Sequence, residues 1–383
     1  MDTYCTIIAQ TSGKYSPGEE GNETLLQHLD RVLYQTIYLS EEFSPKELSG
    51  TILGIAKIVQ NARRMCGGPE SLEVSPHPVH QVFLGDTPDY LKEIMRPFTE
   101  TVVHFIKDYD ARCLSNVCYA YALLGMNPRL GRGNNFFRCV ADEVCQKGMD
   151  FHGQDISNTV WAFATMKASN SRVFGSLGDA VAQNDALLSS MTPLELSNTV
   201  WAFATSNQSH HDLFVKVGDV VARRNDLRMF EPRHLSMTAW AFATANELHP
   251  AMFKKMGDTI ARYENLKAFK PQELALTAWA FATSNVDNPR MFKKIGDTIA
   301  RYHDIRIFQA QHLTMIVSAF ATAKVSHQNM FKKIGDSIVK DEELRLSLSN
   351  ENISKIVEGF TALNVRHRGL LDKLDNAGER TSK

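Results

Sequence analysis

The chain is 383 residues long, 43% hydrophobic and 22% charged, with a formal net charge of −1, which excludes a disordered polyelectrolyte. No apolar run reaches 18 residues, so a membrane-spanning helix is not expected. The neutral total hides a split: residues 1–150 hold 14 Lys/Arg against 19 Asp/Glu, and residues 151–383 hold 28 against 24, a mildly basic balance open to a polyanionic partner.

In chain order, residues 1–21 read as a disordered lead, resembling neither a secretory signal nor an Arg-rich presequence. Leu25, Leu29, Val32, Leu33 and Ile37 keep helical spacing over 24–39. Ser44-Pro45-Lys46-Glu47 combines a capping Ser, a Pro at the first helical position and a Glu closing a capping box, so a second helix opens there. Residues 65–87 form a long irregular loop, and Thr87-Pro88 starts a helix running to about Lys107. Gly131 and Gly133 break the chain before a helix over 134–147, after which the units become regular. The predicted organisation is a lead over 1–21, a degenerate repeat over 22–110, regular repeats over 111–343 and a capping repeat over 344–383. All six cysteines lie in the first 145 residues without zinc spacing, so neither metal nor disulfide is expected.

The regularity is a repeat. Leu196-Ser-Asn-Thr-Val-Trp-Ala-Phe-Ala-Thr205 recurs from Ile156, Leu235 and Leu274 and more loosely from Leu313 and Ile353, while Leu114 opens a close copy and Leu48 a degenerate one. The aligned Phe163, Phe203, Phe242, Phe281, Phe320 and Phe360 are 40, 39, 39, 39 and 40 residues apart. No segment alternates with period two. The predicted fold is all-α, a right-handed α-solenoid of about eight stacked helix-turn-helix repeats with a 39–40-residue period. Leu196, Val200, Phe203 and Ala204 form the core face of each first helix, with Trp201 at its edge and expected to be hidden. Gly178, Gly218, Gly257, Gly296 and Gly335 recur inside second helices. Their cost there implies a neighbour, expected to be Trp201 or a counterpart, that leaves no room for a side chain.

On the opposite face the helical wheel places Glu195, Asn198 and Ala202. The small residue persists (Ala162, Ala202, Ala241, Ala280, Ala319) while its neighbours change. One flank reads Asp155, Glu195, His234, Glu273, His312, Asn352, and the other reads Asn158, Asn198, Met237, Leu276, Met315, Lys355. An exposed alanine floor between changeable side chains suits one RNA base per repeat, stacked on one side and hydrogen-bonded on the other. These twelve flanking residues are the expected RNA contacts. A weaker expectation is a phosphate ladder of Lys254, Lys255, Lys293, Lys294, Lys332 and Lys333 on the second helices. Asp258, Asp297 and Asp336 stand four residues after the first lysine of each pair and favour an ordinary salt-bridged surface instead.

The wording Glu195-Leu-Ser-Asn-Thr-Val-Trp-Ala-Phe-Ala-Thr205 with this period resembles the octotricopeptide repeat proteins, and more widely the heptatricopeptide and FAST-kinase-like repeat proteins. The likeness runs over about 44–378 and is close in 154–340. It implies an α-solenoid that binds single-stranded RNA in a mitochondrion or chloroplast and acts in its processing, stability or translation. Two features depart from that pattern: no transit peptide is visible, which leaves a cytoplasmic location open, and no nuclease-like domain follows the repeats. The alternative function is a protein-interaction scaffold of armadillo or HEAT type. Catalysis is not expected: Gly131-Arg-Gly133 lacks a phosphate-binding motif, and His210-His211 opens a helix without a metal-spaced partner. A monomer without cofactor is expected.

Overall fold

Each first helix starts at a cap that the sequence spells out. The computed structural model describes residues 36–65, 90–131, 134–367 and 369–370, and these are predominantly helical. Thr192 and Glu195 close the expected capping box: the Thr192 N–H donates to Glu195 Oε2 at 2.8 Å and the Glu195 N–H to Thr192 Oγ1 at 3.3 Å. Ser44 and Glu47 do the same at 3.0 and 3.4 Å. Helices end as regularly as they begin. Asn207, Asn246 and Asn285 take φ near +51 to +55°, and the N–H of Gln208 returns to the carbonyl of Phe203 at 2.9 Å, which closes a Schellman turn. The lead expected over 1–21, the helix over 24–35 and the loop over 66–87 lie outside the described residues.

The chain divides into two compact units, Met1–Leu187 and Leu188–Lys383. Unit 1 contains α1 (Pro45–Met65), α2 (Tyr90–His104), α3 (Ala111–Leu124), α4 (Phe136–Gln146), α5 (Gly153–Thr165) and α6 (Ser171–Ala182). The short α7 (Asp185–Ser190) spans the division. Unit 2 contains α8 (Pro193–Thr205), α9 (His211–Arg223), α10 (Pro232–Thr244), α11 (Pro250–Arg262), α12 (Pro271–Thr283) and α13 (Pro289–Arg301). It continues with α14 (Ala310–Thr322), α15 (Gln328–Lys340), α16 (Glu342–Leu346) and α17 (Asn350–Ala362). Beside the chain break expected at Gly131 and Gly133, residues Arg129–Gly131 and Asn134–Asn135 pair as short antiparallel strands. Strands of three and two residues are too short to leave a period-two signal.

Within each unit the first helices pack on one another, α1 on α3 on α5, and α8 on α10 on α12 on α14 on α17. Their backbones approach more closely than those of the second-helix rows. Small side chains permit this: Ser197, Thr199, Ala202 and Ala204 of α8, and Ser236, Thr238, Ala239 and Ala241 of α10, are all buried. Thr199 and Thr277 hydroxyls donate back to the carbonyls of Glu195 and Glu273 at 2.8 and 2.7 Å, so these polar groups cost little there. Between the rows runs a phenylalanine core. Each second-helix ring meets the next first-helix ring edge to face: Phe214 with Phe242, Phe253 with Phe281 and Phe292 with Phe320, at centroid distances of 5.0–5.1 Å.

The recurring glycines serve close packing, but not against tryptophan. A Cβ on Gly218 would lie 2.6 Å from Cγ of the His249 ring, and one on Gly296 equally close to Cγ of His327. His249 is the cap of the next second helix. Its Nδ1 accepts the Met252 N–H at 3.2 Å, and its Nε2 faces Asp219 Oδ1 at 3.3 Å. His327 repeats the arrangement with Met330 and Asp297, and Asn288 takes the same place against Asp258. The glycine thus makes room for a ring or amide that ties two successive second helices together. Gly218→Ala is expected to displace His249 from both partners and to destabilise unit 2 by about 1–3 kcal/mol in urea unfolding, whereas Ala222→Gly, elsewhere on α9, should cost only about 1 kcal/mol.

Candidate nucleic-acid interface

Burial along the first helices overturns part of the expected contact face. Ala162, Ala202, Ala241, Ala280 and Ala319 are only 0–2% exposed, because they lie where successive first helices approach each other. They are packing residues and not a floor. The flank at Glu195 is also occupied. Asp155, Glu195, His234, Glu273, His312 and Asn352 each accept the backbone N–H of the residue three positions earlier, at 2.8–3.3 Å. Asp, Glu, His and Asn interchange there because each offers an acceptor to a helix start. Variation at this position therefore has a structural source, and one polar atom of each side chain is already bonded.

The accessible stripe is the set i, i+4, i+7, i+11 instead. In α8 this is Leu194, Asn198, Trp201 and Thr205; in α10 Arg233, Met237, Trp240 and Thr244; in α12 Gln272, Leu276, Trp279 and Thr283; in α14 Gln311, Met315, Ser318 and Thr322. In each helix the two end residues are exposed and the two middle ones half-buried. Unit 1 repeats the pattern with Gln154, Asn158, Trp161 and Thr165 of α5, and with Arg112, Asn116, Tyr119 and Leu123 of α3 except that Leu123 is half-buried. Of the two flanks expected to touch a ligand, one has Glu195, His312 and Asn352 half-buried, each with one atom taken by a cap bond. On the other, the series Asn158, Asn198, Met237 and Leu276 is equally half-buried beside an aromatic, and Met315 beside Ser318. The tryptophans, expected to be hidden, share the accessible stripe with that series. In α17 the register ends: Lys355 pairs with Glu351 at 2.6 Å.

Charge on the stripe is uneven in a useful way. Through α8, α10, α12 and α14 its one charged residue is Arg233, and in α1, α3 and α5 its charged residues are Lys46, Lys57 and Arg112. No carboxylate stands on it before Glu351. The lysines of the second helices are employed elsewhere. Lys254 and Lys293 donate to Asp258 and Asp297 at 2.9 and 2.7 Å. Those bonds hold both carboxyls below the usual aspartate range. Lys255, Lys294 and Lys333 donate to the carbonyls of Asn225, Glu264 and His303 in the preceding connectors, at 2.8–3.2 Å. Lys332 is exposed. The expected phosphate ladder is therefore largely committed to the fold.

Two of the caps titrate below the ordinary histidine value. Burial lowers the pKa of His234 and of His312, and for His234 the nearby Arg233 lowers it further while Glu231, 4.0 Å away, opposes. Each accepts through Nδ1, so protonation removes the cap. A depressed folded pKa means that the unfolded chain binds the proton first. Stability is then complete above the ordinary histidine value and is lost as pH falls through the folded one. Melting of the protein is expected to drop as the pH falls below the ordinary histidine value of about 6.5, and His234→Gln with His312→Gln, which keep an acceptor, should lose less there. Equal losses would show that the caps do not titrate.

Among the described residues no group of three or more His, Cys, Asp or Glu side chains is placed to hold a metal, and no helix is long and apolar enough to cross a membrane. Cys118 is buried in the place of Val160 and Val200, and burial pushes the Cys113 thiol up to about 11. Comparison of the chain with protein-family models and with curated proteins finds no match.

Proposed function

We propose that this is a non-catalytic helical-repeat protein that binds single-stranded RNA along the first-helix stripe. In this reading it is a right-handed solenoid with a 39–40-residue period, resembling octotricopeptide repeat proteins, and acts in organellar RNA processing, stability or translation. One observation carries the reading. The stripe offers an aromatic and an adjacent Asn, Met or Leu at successive rungs, and its only charges before Glu351 are positive, in a chain with 43 acidic residues. A face shaped by chance would hold several carboxylates. A polyanion with stackable bases is the partner such a face repels least. Asn158→Ala with Asn198→Ala removes two hydrogen-bonding rungs that are only half-buried, so affinity falls while the fold remains. Filter binding of an unstructured RNA at low and moderate salt tests the proposal. Saturable binding at low salt is expected, and none at either salt would leave a protein-docking scaffold as the better account.

A further inference from the structure

All four tryptophans of the chain, Trp161, Trp201, Trp240 and Trp279, occupy one register position on first helices, and all four are half-buried on the accessible stripe. Tyr119 takes that position in α3, and its ring centroid lies 5.3 Å from that of Trp161 with the planes tilted by 56°. Every one of these rungs therefore brings part of an aromatic ring to the surface. Cations are scarce beside them. In unit 2 the stripe has Arg233 alone before Lys355, and the second-helix lysines are mostly bonded to Asp side chains or to connector carbonyls.

Resting on the RNA reading above, we infer that the bases and not the phosphates carry the affinity. Each base lies against a tryptophan rung and the sugar-phosphate chain stays in solvent. Aromatic stacking tolerates every base, because each has a π-face, but it requires bases that are not already stacked in a helix. The ligand is accordingly single-stranded, and duplex RNA of the same charge is refused. Salt dependence follows from the cation count. Single strands give a slope of log affinity on log salt of about −0.7 per neutralised phosphate, so the four stripe cations Lys46, Lys57, Arg112 and Arg233 together allow no more than about −3. Engagement of the six second-helix lysines as well would carry it to about −7.

Because every tryptophan sits on the stripe, the tryptophan fluorescence of the full chain, excited selectively over its tyrosines, reports on it alone. The experiment titrates the protein with a single-stranded RNA of about twelve nucleotides, with an abasic ribose-phosphate strand of equal length and with a duplex, over a range of salt. The RNA is expected to quench the fluorescence with a slope no steeper than about −3, and the abasic strand and the duplex to bind at least about tenfold more weakly. An abasic strand binding as well as the RNA, or a slope steeper than about −4, overturns base-led binding while leaving an RNA-binding protein. No binding of the RNA at low salt removes both this inference and the function on which it rests.

Discussion

Replacing Phe281 by alanine is expected to lower the unfolding free energy of unit 2 by about 3–5 kcal/mol, the range for emptying a buried aromatic site. Phe281 is completely buried, meets Phe253 edge to face with centroids 5.1 Å apart, and also stands against Gly257, where an added Cβ would lie 2.9 Å from its Cε1. Removing the ring empties the contact by which α11 holds α12. In a stacked array stability is the sum of such neighbour contacts, so unfolding should separate into two steps in urea, the copies on either side of the lesion melting apart. A single transition shifted by less than about 1 kcal/mol would mean that the phenylalanine row does not bind the stack together.

The largest functional effect is expected from Trp201→Ala, Trp240→Ala and Trp279→Ala combined. Each ring is only half-buried, so the triple variant keeps its helical circular dichroism and melts closer to the parent than the single Phe281→Ala variant does. A stacked base contributes roughly 1–3 kcal/mol, so loss of three rungs should weaken RNA binding by at least about a hundredfold. Unchanged affinity in a folded triple variant would place the strand elsewhere. Trp240, like Trp201, was expected to be hidden but lies at the edge of the core and is half-buried. Its neighbour Phe242, two residues on, is the one at 1% exposure.

Much of the fold is legible because it depends on local chemistry. The Thr192–Glu195 box, the left-handed Asn207 turn and the 39-residue return of Phe242, Phe281 and Phe320 all arise from contacts that a short stretch of sequence specifies. The outer face was less legible, for a geometric reason. A helical wheel says which residues oppose the core, but a first helix has two further neighbours, the first helices before and after it. Ala202 opposes Leu196 on the wheel and is nonetheless buried, because small side chains mark where those neighbours approach. Glu195 and His234 looked like changing specificity residues because their side chains differ; what they share is an acceptor atom for a helix start. The glycine rule was readable as close approach but not as to its partner, since His249 lies in the next repeat, 31 positions after Gly218.

Photo-crosslinking of a single-stranded RNA to the intact chain, with the linked peptides sequenced, tests the placement of the ligand most directly. Crosslinks within 194–205, 233–244 and 272–283, centred on the tryptophans, are the expected result. Links confined to the lysine-bearing second helices, 250–262 and 289–301, would contradict it.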